Sequence, residues 1–125
     1  MRKEPPFQLS HLSTKTVANC FGTRQSINEI IENAEIILAD TLAKNNDLLL
    51  IDYTKVEFSF AMSDAFNLAK MFELNLQEFH QVKMAVIITE KQKDLGVFWK
   101  EISQTRGFNF EVSTDKASAE RWLLE

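Results

Sequence analysis

Cysteine, glycine and proline are all scarce in this chain. The single cysteine, Cys20, cannot form an internal disulfide, and a thiol without a partner fits a reducing compartment. Three glycines and two prolines exclude a collagenous or low-complexity chain. Positive charge is not in excess: Lys and Arg number 14 against 18 Asp and Glu, a formal net charge of −4. That balance lacks the basic stripe required for nucleic acid and the polybasic attraction required for anionic lipid. Long apolar runs are missing too. Residues 48–51 and 84–88 are among the longest, and both are far shorter than a bilayer span. The start, Met1-Arg2-Lys3-Glu4-Pro5-Pro6, has no apolar stretch after its basic residues and does not read as a signal peptide. The expectation is a cytoplasmic protein with no membrane insertion and no nucleic-acid partner.

What is present is an ordinary globular balance, 45% hydrophobic and 26% charged over 125 residues. This is the size of one domain, which buries roughly two-thirds of its unfolded surface without staples. Residues 1–6 read as a flexible lead ended by the proline pair. Residues 7–10 and 16–21 alternate and pair as a hairpin across Ser13-Thr14-Lys15, with Gly22 closing the segment. Ser26-Ile27-Asn28-Glu29 matches a capping box opening a helix, and Ile27, Ile30, Ile31, Ala34 and Leu38 recur at helical spacing, widened by Ile37 and Leu42. Asn45-Asn46-Asp47 ends it.

Residues 48–53 form a near-continuous apolar run, the pattern of a strand buried on both faces. Residues 54–62 read as a phenylalanine-rich connector. Ser63 is the expected N-cap of the next helix, with Asp64 in its first turn and Ala65, Leu68, Ala69 and Phe72 inward. The cycle repeats with a strand at 82–88, a second capping box at Thr89-Glu90-Lys91-Gln92, and a helix burying Leu95, Phe98, Trp99 and Ile102. Gly107 is placed to end that helix in the left-handed conformation. Residues 108–112 alternate as a strand near a sheet edge, and Thr114 and Asp115 start a last helix with Ala119, Trp122 and Leu123 inward. Strands separated by single helices favour parallel pairing with right-handed crossovers. The expected fold is α/β: one domain over residues 7–125, a small mixed and mostly parallel sheet with about four helices, and an N-terminal hairpin followed by strand-helix repeats.

Three segments carry a resemblance. One is the strand Leu48-Leu49-Leu50-Ile51-Asp52 with its connector and helix. Another is the strand at 82–89 with Leu95-Gly96-Val97-Phe98-Trp99. The third is the closing strand and capped helix ending Ala119-Glu120-Arg121-Trp122-Leu123. In these the chain resembles the SpoIIAA-like branch of the STAS superfamily, named for sulfate transporters and anti-sigma-factor antagonists. The resemblance implies a protein-interaction or ligand-sensing role rather than catalysis. It also implies a Ser or Thr phospho-acceptor at the start of the second helix, but the aligned positions here are Ala61 and Met62, which cannot accept phosphate, with Ser59 and Ser63 one or two residues away. The expected copy of the fold therefore lacks the usual phospho-switch.

Several constellations have two readings. Ser63-Asp64 is a phosphorylation or partner point at a helix start, or an ordinary cap; the cap is preferred. Phe58, Phe60 and Met62 form an exposed partner patch or a strand extension tucked into the core; core is preferred. His11 and His80, the only imidazoles, are not grouped with Cys20 or with other ligands, so structural roles are expected for both, and Cys20 is expected to be a small buried hydrophobe. If the sheet is parallel, Asp52, Thr54, Thr89 and Glu90 gather at the carboxyl ends of the strands, where α/β sheets bind ligands. Turn and cap hydrogen bonding is the preferred reading there, and an enzyme would need Asp52, Glu90 or His80 to converge in a cleft. Gly22 and Gly96 form no phosphate-cradling loop, and no metal or cofactor is expected. Trp99 and Trp122 are expected core anchors, with Trp122→Ala costing roughly 3–5 kcal/mol. The leading expectation is a non-catalytic regulatory domain binding another protein through Asp52, Phe58, Ser59, Phe60, Met62, Ser63 and Asp64. The alternative is a carrier of a small apolar ligand in a cavity lined by some of its ten phenylalanines.

Overall fold

The computed structural model describes residues 6–12, 14–61 and 63–125. The lead at 1–5, Ser13 of the expected turn and Met62 of the expected partner surface lie outside the described residues. Among these residues, five strands form one sheet: β1 (Phe7–His11), β2 (Thr16–Arg24), β3 (Leu48–Phe58), β4 (Lys83–Ile87) and β5 (Phe110–Ser113). Their order across the sheet is β1-β2-β3-β4-β5, the same as along the chain. β1 and β2 are antiparallel, and every later pairing is parallel. The mixed, mostly parallel sheet read from the sequence is therefore present, with β5 at an edge as its wetter alternation indicated.

Four α-helices accompany the strands: α1 (Ile27–Ala43), α2 (Asp64–Asn75), α3 (Lys93–Thr105) and α4 (Lys116–Leu123). Three right-handed crossovers that all step the same way along a sheet must place their helices on one face. Accordingly α1, α2 and α3 pack on the larger core with Leu49, Ile51, Met84, Val86 and Phe110. On the other face, among the described residues, α4 packs through Ala119 and Leu123 against Leu50, Ala85 and Ile87. Short 3-10 helices at Gln77–Gln81 and Glu90–Gln92 flank β4.

Helix ends follow local chemistry. α1 stops where Asn45 adopts φ 58°, with Asn46 N–H on the Thr41 carbonyl and Asn45 N–H on the Leu42 carbonyl. Gly107, at φ 88°, ends α3 by the same pair of bonds, from Phe108 to Ser103 and from Gly107 to Gln104. The Asp115 carboxylate caps α4 by accepting from Ala117 and Ser118 N–H. Two expected caps differ. Ser26 is extended but makes no side-chain cap bond, and Glu29 accepts instead from Gln25 N–H, one residue earlier than the box requires. Ser63 is already helical, at φ −60° and ψ −23°, so it cannot turn its hydroxyl back over the helix end. Asp64 instead accepts from Ala61 N–H at 3.1 Å, three residues before it.

Two boundaries also move. β2 does not stop at Gly22 but runs to Arg24, and β3 does not stop near Tyr53 but runs to Phe58, so most of the supposed connector is strand. Trp99 is buried, as expected of a core anchor. Trp122 is only half-buried at the margin of the α4 face, where the Lys83 ammonium sits 4.6 Å above its ring.

Candidate functional site

The length of β3 creates the site. β3 pairs with β2 through Phe58, but with β4 only over Leu48–Asp52, because β4 ends at Ile87. The last six of its eleven residues therefore overhang. A bulge lies at the start of the overhang: Asn19 faces Asp52 and Phe21 faces Lys55, so β3 carries one more residue than β2 in that interval. An extra residue reverses which side chains point inward. Leu49 and Ile51 are buried before it, Tyr53 within it, and Val56 after it. The register shift also turns the Val56 carbonyl away from β2, into the gap where β4 would have continued.

Side chains occupy the position of the missing strand. Gln92 donates from Nε2 to the Val56 carbonyl at 2.6 Å and accepts at Oε1 from Thr89 N–H at 3.0 Å. Thr89 and Gln92 form the expected capping box, so one amide both starts the 3-10 turn and ties it to β3. Asp52 accepts from Thr54 N–H at 2.8 Å and from the Thr54 hydroxyl at 2.6 Å, the turn role preferred for it from sequence.

Between the overhang and the start of α3 lies an open cleft of about 670 Å³. Val56, Phe58, Phe60 and Leu95 give it apolar surface, and Lys55, Glu57, Lys91 and Asp94 give it charges of both signs. Phe58 and Phe60 meet edge to face at 5.6 Å between ring centres, and Tyr53 meets Phe58 at 5.3 Å. The two rings are half-buried. They pack on the rim of the core and line the cleft at once.

The remaining expected residues divide. Thr54 and Thr89 line the cleft; Asp52 and Glu90 are not among its lining residues. Ser59 and Ser63 are exposed beyond the end of β3, and Ser59 N–H is held by the Arg24 carbonyl at 2.8 Å. His80 lies before β4, at the opposite end of that strand from Thr89, stacked on Phe108 at 4.1 Å between ring centres with Nδ1 3.3 Å from the Gly107 carbonyl. Asp52, Glu90 and His80 therefore do not converge. His11 bonds Asp40 of α1. Among the described residues, no group of three or more His, Cys, Asp or Glu side chains is placed to hold a metal ion. Among the described residues, the void bounded by Ile30, Phe58, Phe60, Ala65, Leu68, Leu95 and Trp99 is about 10 Å³, no more than one water needs.

Sequence reasoning missed Lys91, Gln92 and Asp94 as site residues, and it missed Arg24. Arg24 is 2% exposed at the end of β2, donating to the carbonyls of Phe21 at 2.8 Å and Pro6 at 3.1 Å. Cys20, four residues earlier in β2, is buried as expected. Burial pushes its thiol up to about 12, against the opposing pull of Arg24. Tyr53 is pushed up beyond its ordinary range, chiefly by burial. No helix of the described residues is long and apolar enough to cross a membrane. No protein-family model, curated protein or solved structure matches this chain, so the overhanging strand and its cleft stand on their own geometry.

Proposed function

We propose that this is a non-catalytic, STAS-like regulatory domain of the SpoIIAA-like kind that binds another protein, without a Ser/Thr phospho-switch. The observation that carries the reading is the cleft beside the overhang of β3. It is open, it mixes half-buried aromatic surface with charges of both signs, and one wall is a strand edge whose neighbour is replaced by a glutamine. An apolar floor with a charged rim is the anatomy of a protein-binding patch. A strand edge can also accept an extended segment of a partner by main-chain pairing. The resemblance of the three sequence segments and the hairpin-led parallel sheet support the family assignment. The missing acceptor at Ala61 and Met62 supports loss of the switch. The small interior void favours a surface partner over a small apolar ligand carried inside.

The test is affinity capture from native lysate with the wild-type chain, Phe60→Asp and Lys91→Glu as parallel baits, and Leu74→Glu on α2 as a surface control. The expected result is a partner retained by wild type and Leu74→Glu and lost or weakened at least tenfold by the two cleft variants. A partner captured equally by all four baits, or none under gentle conditions, refutes the reading. Native mass spectrometry of the purified chain separates the alternative, since a reproducible small apolar adduct would favour the carrier.

A further inference from the structure

The sheet has two edges, and the chain treats them differently. At β5, Met84 N–H bonds the Asn109 carbonyl and Ile88 N–H bonds the Ser113 carbonyl, which turns the backbone of Phe110 and Val112 outward. Side chains occupy one outward group of each residue. Gln104 donates to the Phe110 carbonyl at 2.8 Å, and Glu111 accepts from Val112 N–H at 3.0 Å while Lys100 holds its carboxylate at 2.6 Å. Such plugging prevents another strand from joining.

β1 has no such plug. Phe21 N–H bonds the Pro6 carbonyl and Leu12 N–H bonds the Lys15 carbonyl, which with the register assigns Pro6, Gln8, Ser10 and Leu12 to the inward ladder. The main chains of Phe7, Leu9 and His11 therefore face outward, and no side chain among the described residues bonds them. Phe7–His11 carries no Lys, Asp, Glu or Pro to repel a neighbour. Its sequence is also its own complement. About a two-fold axis at Leu9, antiparallel pairing sets Leu9 opposite Leu9 of the second copy, Phe7 opposite His11, and Gln8 opposite Ser10. Apolar or aromatic groups then meet on one face and neutral polar groups on the other. Nearby, Ile36 of α1 is 54% exposed one helical turn before Asp40, the residue that bonds His11, so it extends apolar surface along the same flank.

We infer that two copies of this chain associate through β1, joining their sheets into one continuous sheet across a two-fold axis. The clefts beside β3 lie away from that edge and stay open, so the inference is independent of the proposed partner. The contact is narrow and the association is therefore concentration-dependent.

The experiment combines sedimentation equilibrium with residue-resolved amide exchange, over about a hundredfold range of protein concentration. The wild-type mass should rise from monomer toward dimer, with the amides of Phe7, Leu9 and His11 gaining protection in step. Leu9→Pro removes an N–H that the internal ladder does not use, so it should keep the fold by circular dichroism and stay monomeric. Ile36→Glu should weaken association at least tenfold, while Leu74→Glu should leave it unchanged. A wild-type chain that is monomeric throughout overturns the inference. So does a dimer whose Phe7, Leu9 and His11 amides exchange freely, which would mean another interface; this readout holds even if a variant fails to fold.

Discussion

Gly96→Ala tests how closely α3 lies on the sheet. In an exposed helix interior this exchange stabilises by about 1 kcal/mol, because glycine loses more backbone freedom on folding. Gly96 is buried, however, and faces two strands at once. A Cβ built there overlaps Ile88 Cδ1 and comes within 2.9 Å of Val112 Cγ1. Ile88 is 2% exposed, so its terminal methyl has no solvent to swing into. Overpacking of this kind costs roughly 1–3 kcal/mol, and two opposed contacts place it toward the upper end. Setting the helix gain of about 1 kcal/mol against it leaves a net loss of about 1–2 kcal/mol. For a domain of this length that is a fall in Tm of roughly 3–8 °C. Thermal and urea unfolding followed by far-UV circular dichroism would measure it. Ile88→Val removes the overlapping methyl at its own cost of roughly 0.5–1.5 kcal/mol. Combined with Gly96→Ala it should lose less than the sum of the single changes, by about 1 kcal/mol. A Gly96→Ala chain more stable than wild type would refute the close approach, and with it the position of Asp94 and Leu95 at the wall of the cleft.

Trp122→Ala should cost about 1–3 kcal/mol, below the range for a fully enclosed tryptophan, because the ring is half-open and partly covered by Lys83; a loss above about 4 kcal/mol in urea unfolding would show it to be a true core anchor. At alkaline pH the native state keeps the Cys20 proton while the unfolded chain releases it. The stability this thiol contributes is complete below its ordinary value of 9.0 and is lost as pH rises toward about 12, with Tyr53 acting in the same direction. Urea midpoints between about pH 8 and pH 11 should therefore fall more steeply for wild type than for Cys20→Ala, and equal slopes would contradict the burial of the thiol.

Much of the fold was legible because local signals agreed with the global arrangement. The unbroken apolar run at the start of β3 has the pattern of a strand covered on both faces, and Gly107 sits where a left-handed residue ends a helix. The cleft was harder to read for a physical reason. Lys55-Val56-Glu57-Phe58 does alternate with a strand's period, but the bulge before it shifts the phase, so the pattern did not join the one ending at Tyr53. That hid the overhang, and with it Lys91, Gln92 and Asp94 on the facing turn. Ser63 against Asp64 shows a different limit. Either residue suits a helix start, and the conformation of the preceding chain decides which side chain can reach a free N–H. Arg24 could not be read as buried from sequence, since its satisfying groups are the main-chain carbonyls of Phe21 and Pro6 rather than any acidic side chain.

The strands lie side by side in the order in which they are synthesised. A chain leaving the ribosome can therefore grow its sheet outward one strand at a time, and no late strand has to insert between two that have already paired. At each stage the newest strand is the exposed margin, a surface on which the next one docks. At β5, the last margin among the described residues, side chains close part of that surface: Gln104 from the helix just before it and Glu111 from within it. The same glutamine that satisfies one carbonyl thus also covers part of the surface on which a further strand would dock.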